Sequence, residues 1–156
     1  MRKFKILTLA VLCLFILSTS AFPDTTTEVR FQGGGIISDA FNFKYIWGTY
    51  GFNFDIYFTN LIFISPELYI VMTDFSFKNM SLAPGFTANI QSGDIFFGFG
   101  PVKWFSIGPG SNTRGVQLKL HTGIRTENVV VTLFGIMSAD SLFKNMDIGL
   151  TLGFTI

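Results

Sequence analysis

Met146-Asp147-Ile148-Gly149-Leu150-Thr151-Leu152-Gly153-Phe154-Thr155-Ile156 is the stretch that decides the fold. Its even positions are apolar throughout, and its odd positions are small or polar. Successive side chains of a strand point to opposite sides, so period two over this length makes a β-strand with one greasy face and one wet or tightly packed face. A tilted strand crosses a bilayer in about 9–11 residues, and this stretch is long enough to do so. If the rest of the chain repeats the pattern, the whole is a membrane barrel.

Upstream the pattern recurs. From Glu28 onward the chain divides into segments 28–37, 45–58, 61–77, 81–91, 95–107, 116–125, 128–139 and 146–156. The breaks at Thr59-Asn60, Ser92-Gly93-Asp94 and Thr126-Glu127 are tight, whereas 38–44, 108–115 and 140–145 are longer and 78–80 is intermediate. Pro109-Gly110 and Ser111-Asn112 are turn signals. Alternating short and long connections describe an up-and-down barrel with turns on one side of a membrane and loops on the other. No segment keeps a 3.6-residue apolar stripe, and β-branched and aromatic residues dominate, so helices have no support. The fold class expected is therefore all-β, an eight-stranded antiparallel up-and-down transmembrane β-barrel.

Alternation alone also fits a soluble lipocalin-like barrel with its apolar face inward, so the second face matters. In 45–58 it carries Tyr45, Trp47, Thr49, Gly51, Asn53, Asp55 and Tyr57; in 81–91, Ala83, Gly85, Thr87, Asn89 and Gln91; in 116–125, Gln117, Lys119, His121, Gly123 and Arg125. A water-facing surface would be studded with Lys and Glu. Small and uncharged polar residues instead suit the narrow interior of eight strands, where there is room only for side chains. The greasy face is therefore expected to look out at lipid. Tyr45, Trp47, Trp104 and Phe105 at the loop end, and Tyr57, Phe58, Phe96 and Phe154 at the turn end, are candidates for aromatic girdles at the two membrane interfaces. Two irregularities are expected: a bulge near Thr73-Asp74, and one at Gly100-Pro101 that flips the register and turns Lys103 inward. Segment 128–139, with Val129-Val130-Val131, has no evident phase.

The first residues explain delivery to such a site. Arg2, Lys3 and Lys5 precede an apolar run over 6–17, and Ser18-Thr19-Ser20-Ala21 follows. This reads as a secretory signal peptide over 1–21, cut after Ala21, because twelve residues are too few to span a bilayer. A short segment, 22–27, then leads to one barrel domain over 28–156. Cys13 lies within the signal, behind Val11-Leu12, so neither lipidation nor a disulfide in the mature chain is expected. Eight basic residues then remain of the eleven, against ten acidic ones, a formal charge of −2 with no basic patch for nucleic acid. Charged residues make up 13% of the chain, about half the usual share, so few are left to coat a water-facing surface.

The Gly-rich first segment (Phe31-Gln32-Gly33-Gly34-Gly35), the stretch Ile64-Ser65-Pro66-Glu67-Leu68-Tyr69, and the closing Gly149-Leu150-Thr151-Leu152-Gly153-Phe154 carry a resemblance. The chain is similar to small bacterial outer-membrane β-barrel proteins of the eight-stranded type, the broad group of outer membrane protein A transmembrane domains and porin-like β-barrels. The resemblance implies residence in the outer membrane of a Gram-negative cell envelope, contact with outer-membrane lipid, and handling by the barrel-assembly machinery during biogenesis. Such families usually end on an aromatic residue; here Phe154 stands two places before Ile156 on the same face. No peptidoglycan-binding domain is expected after the barrel, and a monomer is expected.

Chemistry is scarce. Gly33-Gly34-Gly35 opens no helix and lacks the Lys-Ser/Thr of a phosphate loop, so close strand packing is its better reading. One His and no Cys in the mature chain leave no transition-metal site, and no cofactor is expected. Some outer-membrane barrels deacylate lipid with a His and a Ser two residues later, but the residue two beyond His121 is Gly123. His121 is expected to hydrogen-bond in the lumen. Phase also turns Glu28, Arg30, Asp55, Glu67, Lys119, Arg125 and Asp147 inward. Unpaired charges would be costly there, so a pairing network is expected, with Glu67 and Lys119 meeting across the axis and Arg30 and Asp147 towards opposite ends. The expected function is non-enzymatic, structural or surface-interacting, although the loops are too short for a large adhesive surface. The alternatives are a small pore, a lipid-modifying enzyme and a soluble lipocalin-like binder.

Overall fold

The computed structural model describes residues 25–40, 42–43, 45–75, 78–107, 114–138 and 146–156. The expected signal peptide, residues 22–24 and most of two long loops lie outside them. Eight strands run in order: β1 Thr26–Ser38, β2 Tyr45–Tyr57, β3 Ile62–Met72, β4 Met80–Ser92, β5 Ile95–Lys103, β6 Val116–Arg125, β7 Val129–Ser138 and β8 Asp147–Thr155. After Trp104, β5 resumes as Phe105–Ser106, still paired with β4. Each strand pairs antiparallel with its neighbours in sequence, and β8 pairs with β1, so the sheet closes.

Its geometry follows from the register. Thr27 faces Ile56, which faces Ile64, then Ala88, Phe99, Leu120, Gly135, Ile148 and finally Ile37. The circuit returns to β1 ten residues from where it began. With a rise of about 3.3 Å per residue and strands about 4.8 Å apart, that offset tilts the strands by roughly 40° to the axis. At the β1–β8 seam the backbones approach closely, and a Cβ on Gly34 would collide with the Leu150 carbonyl oxygen and lie 2.8 Å from the Thr151 Cα. Glycine at this position is required by the approach of another backbone.

The side connecting β2 to β3, β4 to β5 and β6 to β7 carries tight turns. Thr59 Oγ1 accepts from the backbone N–H groups of Leu61 and Ile62 at 3.1 and 3.0 Å. Gly93, at φ +60°, takes the first central position of the β4–β5 turn, where a two-residue hairpin of type II′ needs glycine. At the loop end, β3 stops at Met72 and gives way to a single 3₁₀ turn, Thr73–Phe75. That turn replaces the expected bulge at Thr73-Asp74: Phe75 sits at φ +53° and Thr73 N–H donates to Asn79 O at 3.0 Å, which ends the strand.

Phase is as the last strand required. Leu150, Leu152 and Phe154 are about half exposed on the outside, and Asp147 and Thr151 are buried inside. The expected register flip at Gly100-Pro101 does not occur. Pro101 faces Leu118 in an unbroken ladder, and pairing with β4 keeps one offset on both sides of it. Lys103 therefore points outward beside the Phe105 ring, 5.0 Å from its centroid. The girdle assignment also needs correcting: Trp47, Trp104, Tyr57 and Phe96 turn into the barrel, while Phe58, Phe105 and Phe154 are exposed.

Candidate functional site

The interior is filled in layers. At the turn end Phe63, Phe96 and Val130 form a small apolar floor, with Tyr57 stacked on Phe63 at 4.8 Å. The Arg125 guanidinium lies 5.2 Å from the Phe63 ring centroid, and that of Arg30 lies 5.6 Å from Phe96. Asp55, fully buried, joins the two cations: Arg125 Nη2 hydrogen-bonds to it, and Arg30 Nη1 lies 3.5 Å away, an ionic contact. Arg125 Nη1 also donates to Glu28 Oε2 at 2.7 Å. Ser65 Oγ donates to Asp55 Oδ1 at 2.6 Å, Asn89 Nδ2 donates to Ser65 Oγ at 3.0 Å, and Asn89 Oδ1 lies 2.6 Å from His121 Nε2.

One layer up, Lys119 Nζ donates to both Glu67 carboxylate oxygens, at 2.9 and 2.7 Å, and to Tyr69 OH at 3.2 Å. Gln32 Nε2 donates to Asn53 Oδ1 at 2.6 Å and also to Tyr69 OH, and its Oε1 accepts from Thr151 Oγ1 at 2.9 Å. Asn53 Nδ2 reaches Glu67 Oε2 at 3.3 Å. Gly85 leaves space for this pair, since a Cβ there would stand 2.7 Å from Glu67 Oε1. Towards the loops the interior becomes apolar, with Ile36, Trp47, Val71, Ala83, Val102, Trp104, Phe134 and Ile136. The void left among them is about 10 Å³, enough for one water at most.

Every inward charge expected from the sequence except Lys103 faces the interior, although Glu28 stands at the turn-side rim with 34% of its side chain exposed. Glu67 and Lys119 meet. Arg30 and Asp147 do not, because Arg30 turns to Asp55 while Asp147 pairs with Arg114 at the loop-side mouth. Arg114 was not foreseen, because it precedes β6 in a stretch with no alternation from which to read its direction. Gln32, Ser65 and Tyr69 joined no expected pair, although each shares an inward phase with Arg30 or Glu67. Among the described residues, Lys119, Arg30, Arg125 and Arg114 are matched by Glu67, Asp55, Glu28 and Asp147. The neighbour of His121 is the Asn89 amide, and Ser65 donates to Asp55, so His121 and Ser65 are bridged by Asn89 and do not hydrogen-bond to each other. No group of three metal-ligating side chains occurs among the described residues.

Two solved structures share this architecture. One is a de novo designed transmembrane β-barrel, with a TM-score of 0.57 at 7% identity, covering 83% of this chain and 95% of that one. The other is the N-terminal β-barrel domain of Pseudomonas aeruginosa OprF, with a TM-score of 0.55 at 14% identity, covering 85% of this chain and all of that one. No protein-family model and no curated protein matches the sequence. At these identities the likeness shows the fold alone: a closed, eight-stranded antiparallel barrel.

Proposed function

We propose that the protein is a non-enzymatic, monomeric integral barrel of the outer membrane, with a plugged lumen and a structural or surface-interaction role. The carrying observation is the inversion of its polarity. Lys103 is the one charged side chain on the outward face of the eight strands, while the other strand charges are buried inside or, for Glu28, paired with Arg125 at the turn-side rim. Large apolar side chains, among them Ile70, Ile90, Phe97, Ile124 and Leu133, are 40% exposed or more on every one of the eight strands. Water-soluble proteins do not expose a continuous apolar belt of this extent, and lipid accommodates it. Closure supports the same reading, since hydrocarbon tolerates no unpaired strand edge, and a closed sheet offers none for oligomerisation.

The matched charges and the small void left among the described residues of the loop-side interior support the plugged lumen. Outer-membrane lipid is the surrounding partner in this reading, and the barrel-assembly machinery delivers the chain to it. The test is twofold. Expressed with its leader, the protein is expected in the outer-membrane fraction, migrating differently on gels before and after boiling. Purified into planar bilayers, it is expected to give no stable conductance. Recovery of the mature chain as a detergent-free soluble species would reverse the membrane assignment, and a reproducible ion-selective channel would reverse the plugged lumen.

A further inference from the structure

The loop-side mouth holds a cation in a notch of indoles. Trp47 of β2 and Trp104 of β5 meet with ring centroids 5.6 Å apart and planes inclined at 58°. The Arg114 guanidinium lies over both rings, 4.6 Å from the Trp104 centroid and 5.0 Å from that of Trp47. Its Nη1 pairs with Asp147 Oδ2, and its backbone N–H donates to Trp104 O at 3.3 Å. The other Asp147 oxygen accepts from the backbone N–H of Asp39 at 2.9 Å. The notch itself belongs to the barrel wall: both indoles are buried, and the Asp147 side chain is 4% exposed. Arg114 is the outermost member, with 27% of its side chain exposed. Among the described residues, neither indole N–H has an acceptor.

Two aromatic faces flanking a carboxylate favour a weakly hydrated organic cation. The ring quadrupoles attract its charge, and little hydration is lost when it enters. A sodium ion or a primary ammonium must shed tightly held water to do the same. We propose that Trp47, Trp104 and Asp147 form an organic-cation site at the mouth, taking a guanidinium or quaternary ammonium group, and that Arg114 is its resident occupant. An incoming cation exchanges with Arg114, so Asp147 is never left buried without a counter-charge. The site goes beyond the structural role proposed above and does not depend on which membrane holds the barrel.

The chain has two tryptophans, and both are in the notch, so indole fluorescence reads this site alone. The experiment titrates tetramethylammonium chloride into purified protein in detergent micelles, with sodium chloride at equal ionic strength as the control. Arg114→Ala and Arg114→Gln are each expected to show a saturable change at a concentration about tenfold lower than the wild type needs. Adding Asp147→Asn to either is expected to raise that concentration again by about tenfold. The same unsaturable response in wild type, variants and sodium chloride would overturn the site. So would loss of heat-modifiable migration in both single variants, because Arg114 would then be a folding residue and no exchangeable occupant.

Discussion

Lys119 has an ammonium buried inside the barrel, and among the described residues the carboxylate that pairs with it is Glu67. Glu67→Gln leaves that cation uncompensated, and the expected loss is about 3–5 kcal/mol, read as a lower urea midpoint for the refolded barrel. Glu67→Gln combined with Lys119→Met removes both charges and is expected to recover most of the loss. A double variant as unstable as the single one would show that the two residues do not act as a pair. This contact was legible because both residues sit on the inward phase at similar heights above the turns. Asp55 was legible as an inward acid, but its partners were not, since Arg30 and Arg125 reach it through long side chains whose direction no periodicity fixes. The Arg114–Asp147 contact was hidden for a related reason, as one partner lies outside any strand.

At the scale of the strand, alternation revealed β2, β4, β6 and β8 and failed at β5 and β7. The failure has one cause. Phe96, Val102 and Trp104 of β5, and Val130, Phe134 and Ile136 of β7, are buried inside the barrel, so these strands are apolar on both faces and period two disappears from their sequence. In β8, where the contrast survives, Leu150→Arg is expected to cost about 2–4 kcal/mol if it lies at the bilayer midplane, measured as the folding free energy into vesicles. Thr151→Arg is expected to fail differently, through loss of the Gln32 contact and lack of interior space, and so to be as harmful in detergent as in lipid. Equal tolerance of both would contradict the inside–outside assignment. Gly34→Ala is expected to lose about 1–3 kcal/mol by forcing the seam apart, read from the urea midpoint. Gly33→Ala, whose Cβ would meet the Tyr50 ring at 3.0 Å and the nearest backbone atom, Thr49 O, at an ordinary 3.7 Å, is expected to lose less.

For the whole molecule, the strand count and the order of short and long connections were legible, but the ten-residue offset was not, since it is a sum of pairings that no single strand records. Closure brings the ends of the described barrel together: Val29 and Ile156 exchange backbone hydrogen bonds at the turn side. A circular permutant that joins residue 156 to residue 25 through a short linker and opens the chain at Glu127 is therefore expected to fold with the same heat-modifiable migration. A misfolded permutant would mean that strand order in synthesis, beyond the contacts themselves, decides the fold. The seam has one more consequence. Thr151 and Gln32, hydrogen-bonded across the seam in the layer of Lys119 and Glu67, are 119 residues apart in the chain. The earliest strand to emerge during synthesis has to wait for the last before both its edges are satisfied, and any partial sheet would carry open amides into hydrocarbon. Both edges of β1 are satisfied only once β8 docks, so closure is the last pairing the barrel completes.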